Sequence, residues 1–147
     1  PYPFVTVNEF GEGRGVYIAG SIFRVYWETN HHWLRQFVEG LWDYLDPEPP
    51  YRLDISGIVE ANLMGAGDDL LLNLIHYQVG HQGSKDAIPS IEYVHPIREI
   101  ECEVKAPAAT EIVLEPSGES LDFRMQGDYA CFTVPEIEYL AMVRVKR

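Results

Sequence analysis

Asp46-Pro47-Glu48-Pro49-Pro50 divides this sequence into two parts that must be read with different periods. Proline donates no backbone hydrogen bond and pushes the residue before it into an extended conformation, so three prolines in five residues end any helix that reaches them. On the N-terminal side, Trp33, Leu34, Phe37, Val38, Leu41, Trp42 and Leu45 recur at three- and four-residue intervals. That is the stripe of one amphipathic helix, with Thr29 or Asn30 as its N-cap. On the C-terminal side the apolar residues alternate instead, and turn residues recur every eight to twelve positions or so, as in a sandwich or barrel.

Upstream of the helix, residues 4–10 and 14–23 are rich in β-branched and aromatic side chains and flank Gly11-Glu12-Gly13, which reads as a hairpin turn. In the second of these segments Val16, Ile18 and Ile22 alternate with Tyr17, Ala19 and Phe23. Both faces are then apolar, and one helix covers only one of them. Something else is expected to cover the other face. Downstream of the prolines, strands are predicted at 55–63, 70–77, 93–97, 100–105, 111–115, 121–125, 129–134 and 139–145. Gly65-Ala66-Gly67-Asp68-Asp69 and Gln126-Gly127-Asp128 form two of the turns, and 80–90 is a loop. The fold class expected is mainly β: an antiparallel β-sandwich over 51–147, preceded over 1–50 by a β-hairpin and one amphipathic helix.

Composition narrows the function. The chain has 147 residues, 46% of them hydrophobic, and 23 acidic against 11 basic side chains give a formal charge of −12. Such a charge repels phosphate backbones and anionic lipid heads, so neither nucleic acid nor a membrane surface is an expected partner. No apolar run approaches the roughly 20 residues of a bilayer-spanning helix, and a soluble protein is expected. The sequence opens at Pro1 and its earliest methionine is Met64, which fits a piece of a longer protein. Cys102 shares a strand face with Ile100 and Val104, whereas Cys131 lies on the face opposite Ala130, Phe132 and Val134. The two are expected to remain free thiols, which suits a reducing cytoplasm.

Chemical signatures are sparse. Gly11-x-Gly13-x-Gly15 joins strand to strand beside Glu12, whereas a phosphate loop joins a strand to a helix N-terminus. His31, His32, His76, His81 and His95 show no zinc-ligand spacing, and only His76, His81 and His95 form a trio that folding could gather. Neither a metal nor a cofactor is expected. Glu60, Glu92, Glu101 and Glu103 fall on the polar faces of their strands, where solvation explains them better than catalysis does. Ser56-Gly57 and Ser117-Gly118 lack the turn motif of a hydrolase nucleophile. No catalytic residue is assigned. Among the aromatics, Trp33 and Trp42 belong to the helix stripe, whereas Trp27, Tyr26 and Tyr77 lie near loops and are candidate carbohydrate-binding residues.

The order of the pieces carries a resemblance. The hairpin Glu9-Phe10-Gly11-Glu12-Gly13-Arg14-Gly15, the strand Val16-Tyr17-Ile18-Ala19-Gly20, the helix and the proline break are similar to the end of the amidotransferase-like trimerisation domain of bacterial β-galactosidases and their relatives. Leu70-Leu71-Leu72-Asn73-Leu74-Ile75-His76-Tyr77 is similar to a strand of the C-terminal sandwich in those proteins that ends in a His-Leu-x-Asn-Tyr-like motif, although here Tyr77 follows His76 directly, the expected asparagine is missing, and Asn73 lies three residues earlier. Phe132-Thr133-Val134-Pro135, followed by Ala141-Met142-Val143-Arg144-Val145, resembles the way those sandwiches end. The resemblance implies a glycoside hydrolase whose catalytic residues sit in an upstream barrel domain. This chain would then be a non-catalytic accessory region for domain docking and homo-oligomerisation. A stand-alone carbohydrate-binding β-sandwich module is the alternative, and a small enzyme in its own right is a third.

Overall fold

The computed structural model of the chain describes residues 2–45, 48–55, 59–77 and 93–147. The 80–90 loop, His81, Glu92 and Ser56-Gly57 lie outside the described residues. The chain forms two compact units, Pro1–Glu48 and Pro49–Arg147.

In the first unit β1 (Val5–Phe10) pairs antiparallel with β2 (Gly13–Ile18), Val5 opposite Ile18 and Phe10 opposite Gly13. Gly11 turns the hairpin at φ 60°, a conformation that side chains resist. The strand expected over 14–23 ends at Ile18, because Gly20-Ser21 break it and α1 (Ile22–Thr29) follows. Ile22 and Phe23 therefore open a helix, and the amide of Val25 already bonds the carbonyl of Ser21 at 3.0 Å. Asn30 caps the end of this helix rather than the start of the next. It is left-handed at φ 51° and ψ 29°, and its N–H donates to the carbonyl of Tyr26. Asparagine is among the few residues that adopt that conformation readily. The anticipated helix is present as α2 (His32–Leu45), so the unit has two helices where the periodicity predicted one. The two-faced strand disappears with this correction: Tyr17 is 68% exposed and Phe23, now helical, 67%.

The second unit is the expected antiparallel sandwich. Its strands are β3 (Tyr51–Asp54), β4 (Val59–Ala66), β5 (Asp69–His76), β6 (Ile97–Lys105), β7 (Glu111–Glu115), β8 (Glu119–Leu121), β9 (Phe123–Gln126), β10 (Tyr129–Ile137) and β11 (Leu140–Lys146). One sheet has the order β3-β6-β10-β9 and the other β4-β5-β11-β7-β8. Alternation puts Ile100, Cys102 and Val104 of β6, and Ala130, Phe132 and Val134 of β10, against Leu72 and Leu74 of β5 and Ala141, Val143 and Val145 of β11. Both hairpins anticipated from glycine are present, with Gly67 at φ 67° between β4 and β5 and Gly127 at φ 59° between β9 and β10.

Three strand predictions need correction. Residues 93–96 are irregular, and pairing begins at Ile97 just after Pro96, since proline offers no ladder donor. The segment 121–125 is interrupted at Asp122, so that β8 joins the five-stranded sheet and β9 the four-stranded one. Of the strand expected over 55–63, the described part is Val59 onward in β4, and Tyr51–Asp54, where no strand is predicted, forms an edge strand against β6.

Candidate functional site

Trp27 and Tyr26 are consecutive residues of α1, 87% and 38% exposed. Consecutive helical side chains diverge by about 100°, so these two rings cannot form one flat stacking platform. Tyr77, 66% exposed, follows β5 in the second unit. No single unit therefore contains all three candidate carbohydrate-binding residues.

The first unit carries an apolar groove of about 400 Å³ lined by Phe4, Ile22, Val25, Trp33, Leu34 and Phe37. Phe4 packs toward Phe37 with ring centroids 6.4 Å apart. It can do so because Gly20 has no side chain: a Cβ there would stand 2.5 Å from Cε2 of Phe4. A smaller groove of about 190 Å³ adjoins Phe23, Tyr26 and Val38. Among the described residues of this unit only Ile22 and Leu34 are buried apolar side chains. Phe23, Trp27, Trp33, Trp42 and Tyr44 are exposed.

Three of the described histidines, His31, His76 and His95, have structural partners. Nδ1 of His76 lies 3.0 Å from the carbonyl oxygen of Glu138, and the His76 amide donates to the carbonyl of Tyr139 at 2.9 Å. His95 meets Tyr93 edge-on at 4.8 Å, and His31 stacks near Trp33 at 6.2 Å. Among the described residues no group of three His, Cys, Asp or Glu side chains is placed to hold a metal. Both cysteines are buried and unbridged, and burial pushes the Cys102 thiol up to about 12. Glu60 points outward from the five-stranded sheet, and Glu101 and Glu103 point outward from the four-stranded one. Lys146 at 2.8 Å and the Ser120 hydroxyl at 2.9 Å hold the Glu111 carboxyl below its ordinary range.

The feature that sequence reading missed is a polar depression of about 540 Å³ on the outer face of the four-stranded sheet. It gathers Glu101 and Glu103 of β6, Cys131 and Thr133 of β10, Arg124 of β9 and Asp122 from the corner before it. Register explains it. Cys131 stands opposite Glu103 on one side and Arg124 on the other, so a small side chain separates two long ones across three neighbouring strands. Alternation alone places Glu101 and Glu103 on this face, but not β9, whose position depends on the break at Asp122.

No protein-family model and no curated protein sequence matches the chain. Its fold, a two-sheet antiparallel sandwich preceded by a hairpin with two helices, is nevertheless shared with part of a known structure. Alpha-L-fucosidase isoenzyme 2 from Paenibacillus thiaminolyticus aligns with 90% of this chain at a TM-score of 0.78 and 22% identity. A cycloisomaltooligosaccharide glucanotransferase from Paenibacillus sp., solved with cycloisomaltoheptaose, aligns with 76% of the chain at a TM-score of 0.47 and 18% identity. The chain spans about a fifth of the length of each, 20% in both cases.

Proposed function

We propose that this chain is the non-catalytic C-terminal accessory region of a glycoside hydrolase of the β-galactosidase-like kind, acting in domain docking and homo-oligomerisation. The observation that carries the reading is the first unit: a two-stranded hairpin and two helices with two buried apolar side chains and a row of exposed aromatic ones. A single hairpin is marginal in water by itself, and the two helices of this unit add only Ile22 and Leu34 as buried apolar side chains. At roughly 25 cal/mol per Å², on the order of several hundred Å² of bare apolar surface forgoes several kcal/mol, comparable to the net stability of a domain. Such a unit makes physical sense as one edge of a larger body, supplied by an upstream barrel domain, the remainder of an α/β domain or a second copy of the chain. The shared fold with one fifth of an alpha-L-fucosidase supports the same reading, because there too the corresponding portion is a small part of a long chain. The two unbridged thiols fit a reducing, cytoplasmic setting.

Light scattering of the purified chain at low micromolar concentration tests the proposal, read together with binding of a hydrophobic dye. Self-association, or dye binding abolished by an added upstream segment of the parent protein, is expected. A strict monomer that binds no dye and whose β1–β2 amides resist exchange would overturn it.

A further inference from the structure

We infer that the depression on the outer face of the four-stranded sheet is a binding site for a neutral, polyhydroxylated ligand, a saccharide. This inference stands independently of the docking role, which concerns the other unit. Shape comes first. A sandwich sheet needs only its inner face buried, and long side chains on the outer face normally fill the space above it. Here the row Glu103, Cys131, Arg124 places the short thiol side chain between a carboxylate and a guanidinium two strand spacings apart, about 10 Å. Thr133, the next outward residue on β10 after Cys131, keeps the floor low.

Chemistry comes second. The side chains of Glu101, Asp122, Arg124 and Thr133 make no hydrogen bond or ion pair among the described residues, although they converge on one hollow. Glu103 is oriented in advance: its Oε2 accepts from Nη1 of Arg52 at 3.1 Å, and the Arg52 guanidinium rests 4.4 Å over the Tyr129 ring. A carboxylate held in this way loses little rotamer freedom when a ligand arrives.

Charge selects the class. Carboxylates outnumber cations in the hollow and the chain carries −12, so anions are repelled. A polycation would have to sit beside Arg124. A sugar hydroxyl is donor and acceptor at once, so it can give its hydrogen to Glu101 or Asp122 while receiving one from Arg124. Adjacent hydroxyls on one ring use both kinds of group together, which neither an anion nor a cation can do.

The test is amide chemical-shift mapping on the whole 147-residue chain. The probes are maltotetraose, cellotetraose, xylotetraose and mannotetraose, with spermidine and inorganic phosphate as charged comparisons. At least one oligosaccharide is expected to shift the amides of 101–103, 122–124 and 131–133 with millimolar affinity, as weak neutral ligands do. Arg124→Ala and Glu101→Gln, both on exposed side chains, should each weaken that binding about tenfold with an unchanged melting temperature. Cys131→Leu should do the same by filling the hollow, and Trp27→Ala and Tyr77→Ala should leave the affinity as it was. The inference is overturned if no oligosaccharide moves these amides, if the shifts gather around Trp27 and Tyr26 instead, or if spermidine or phosphate alone moves them.

Discussion

The hydroxyl of Tyr51 donates to the carbonyl oxygen of Ala61 at 3.0 Å, and this bond ties the edge strand β3 of one sheet to β4 of the other. β3 is only four residues long and pairs with β6 alone, so a cross-sheet anchor matters more there than at the centre. Tyr51→Phe keeps the ring and removes the bond. A loss of about 1 kcal/mol is expected in urea unfolding, while Tyr139→Phe, at an exposed tyrosine, should stay within about 0.5 kcal/mol of the parent.

Leu72 and Leu74 are wholly shielded from solvent at the centre of the sandwich. Truncating either to alanine is expected to cost about 2–5 kcal/mol, because a void in a close-packed core is added to the lost transfer energy. The core that they belong to lies within 49–147, so a fragment of those residues should melt cooperatively by itself. Circular dichroism of the fragment checks this, and a broad, gradual melt would contradict it.

The buried Cys102 thiol gives the stability a pH dependence of known sign. Its folded-state value of about 12 lies above the roughly 8.5 of an unperturbed thiol. The native state thus holds this proton more tightly than the unfolded chain does. The corresponding stability is complete below about pH 8.5 and is lost as the pH climbs toward 12. The urea midpoint should accordingly fall between about pH 8.5 and 10, and Cys102→Ala should make the fall shallower. At neutral pH an alkylating reagent should reach Cys102 only as fast as the chain unfolds.

Glu60 and Glu103 lie on opposite outer surfaces of the sandwich, and a pair of carboxylates flanking one glycosidic bond must face the same hollow. The isolated chain is expected to release no chromophore from aryl glycosides. Turnover that vanished in Glu60→Gln or Glu103→Gln would refute the non-catalytic reading.

Much of this fold could be read from single strands and little of it from their assembly. Residues 111–115 form a strand just where alternation placed one, because both faces of that segment have a single compatible environment. The expected second strand takes in Ile22 and Phe23 of α1 because both have strong strand propensity, whereas the helix depends on the Gly20-Ser21 break and on a left-handed Asn30, signals that periodicity does not register. Tyr51–Asp54 was hidden by the prolines before it, although Lys105 reaches back to the carbonyl of Pro50 at 2.9 Å and so begins the ladder there. The polar hollow was illegible for a different reason. Its floor and both its walls come from three strands, and no local pattern states that Cys131 faces Arg124.

The position of β11 has a kinetic consequence. It alone joins β5 to β7, so the five-stranded sheet consists of two separate hairpins until residues 140–146 slide between them. Ala141 then meets Leu74, a partner distant in the sequence, and each hairpin offers an open edge to other chains until that happens. The folding of this unit is therefore a race between its own last strand and its neighbours, and protein concentration during refolding decides which of them arrives first.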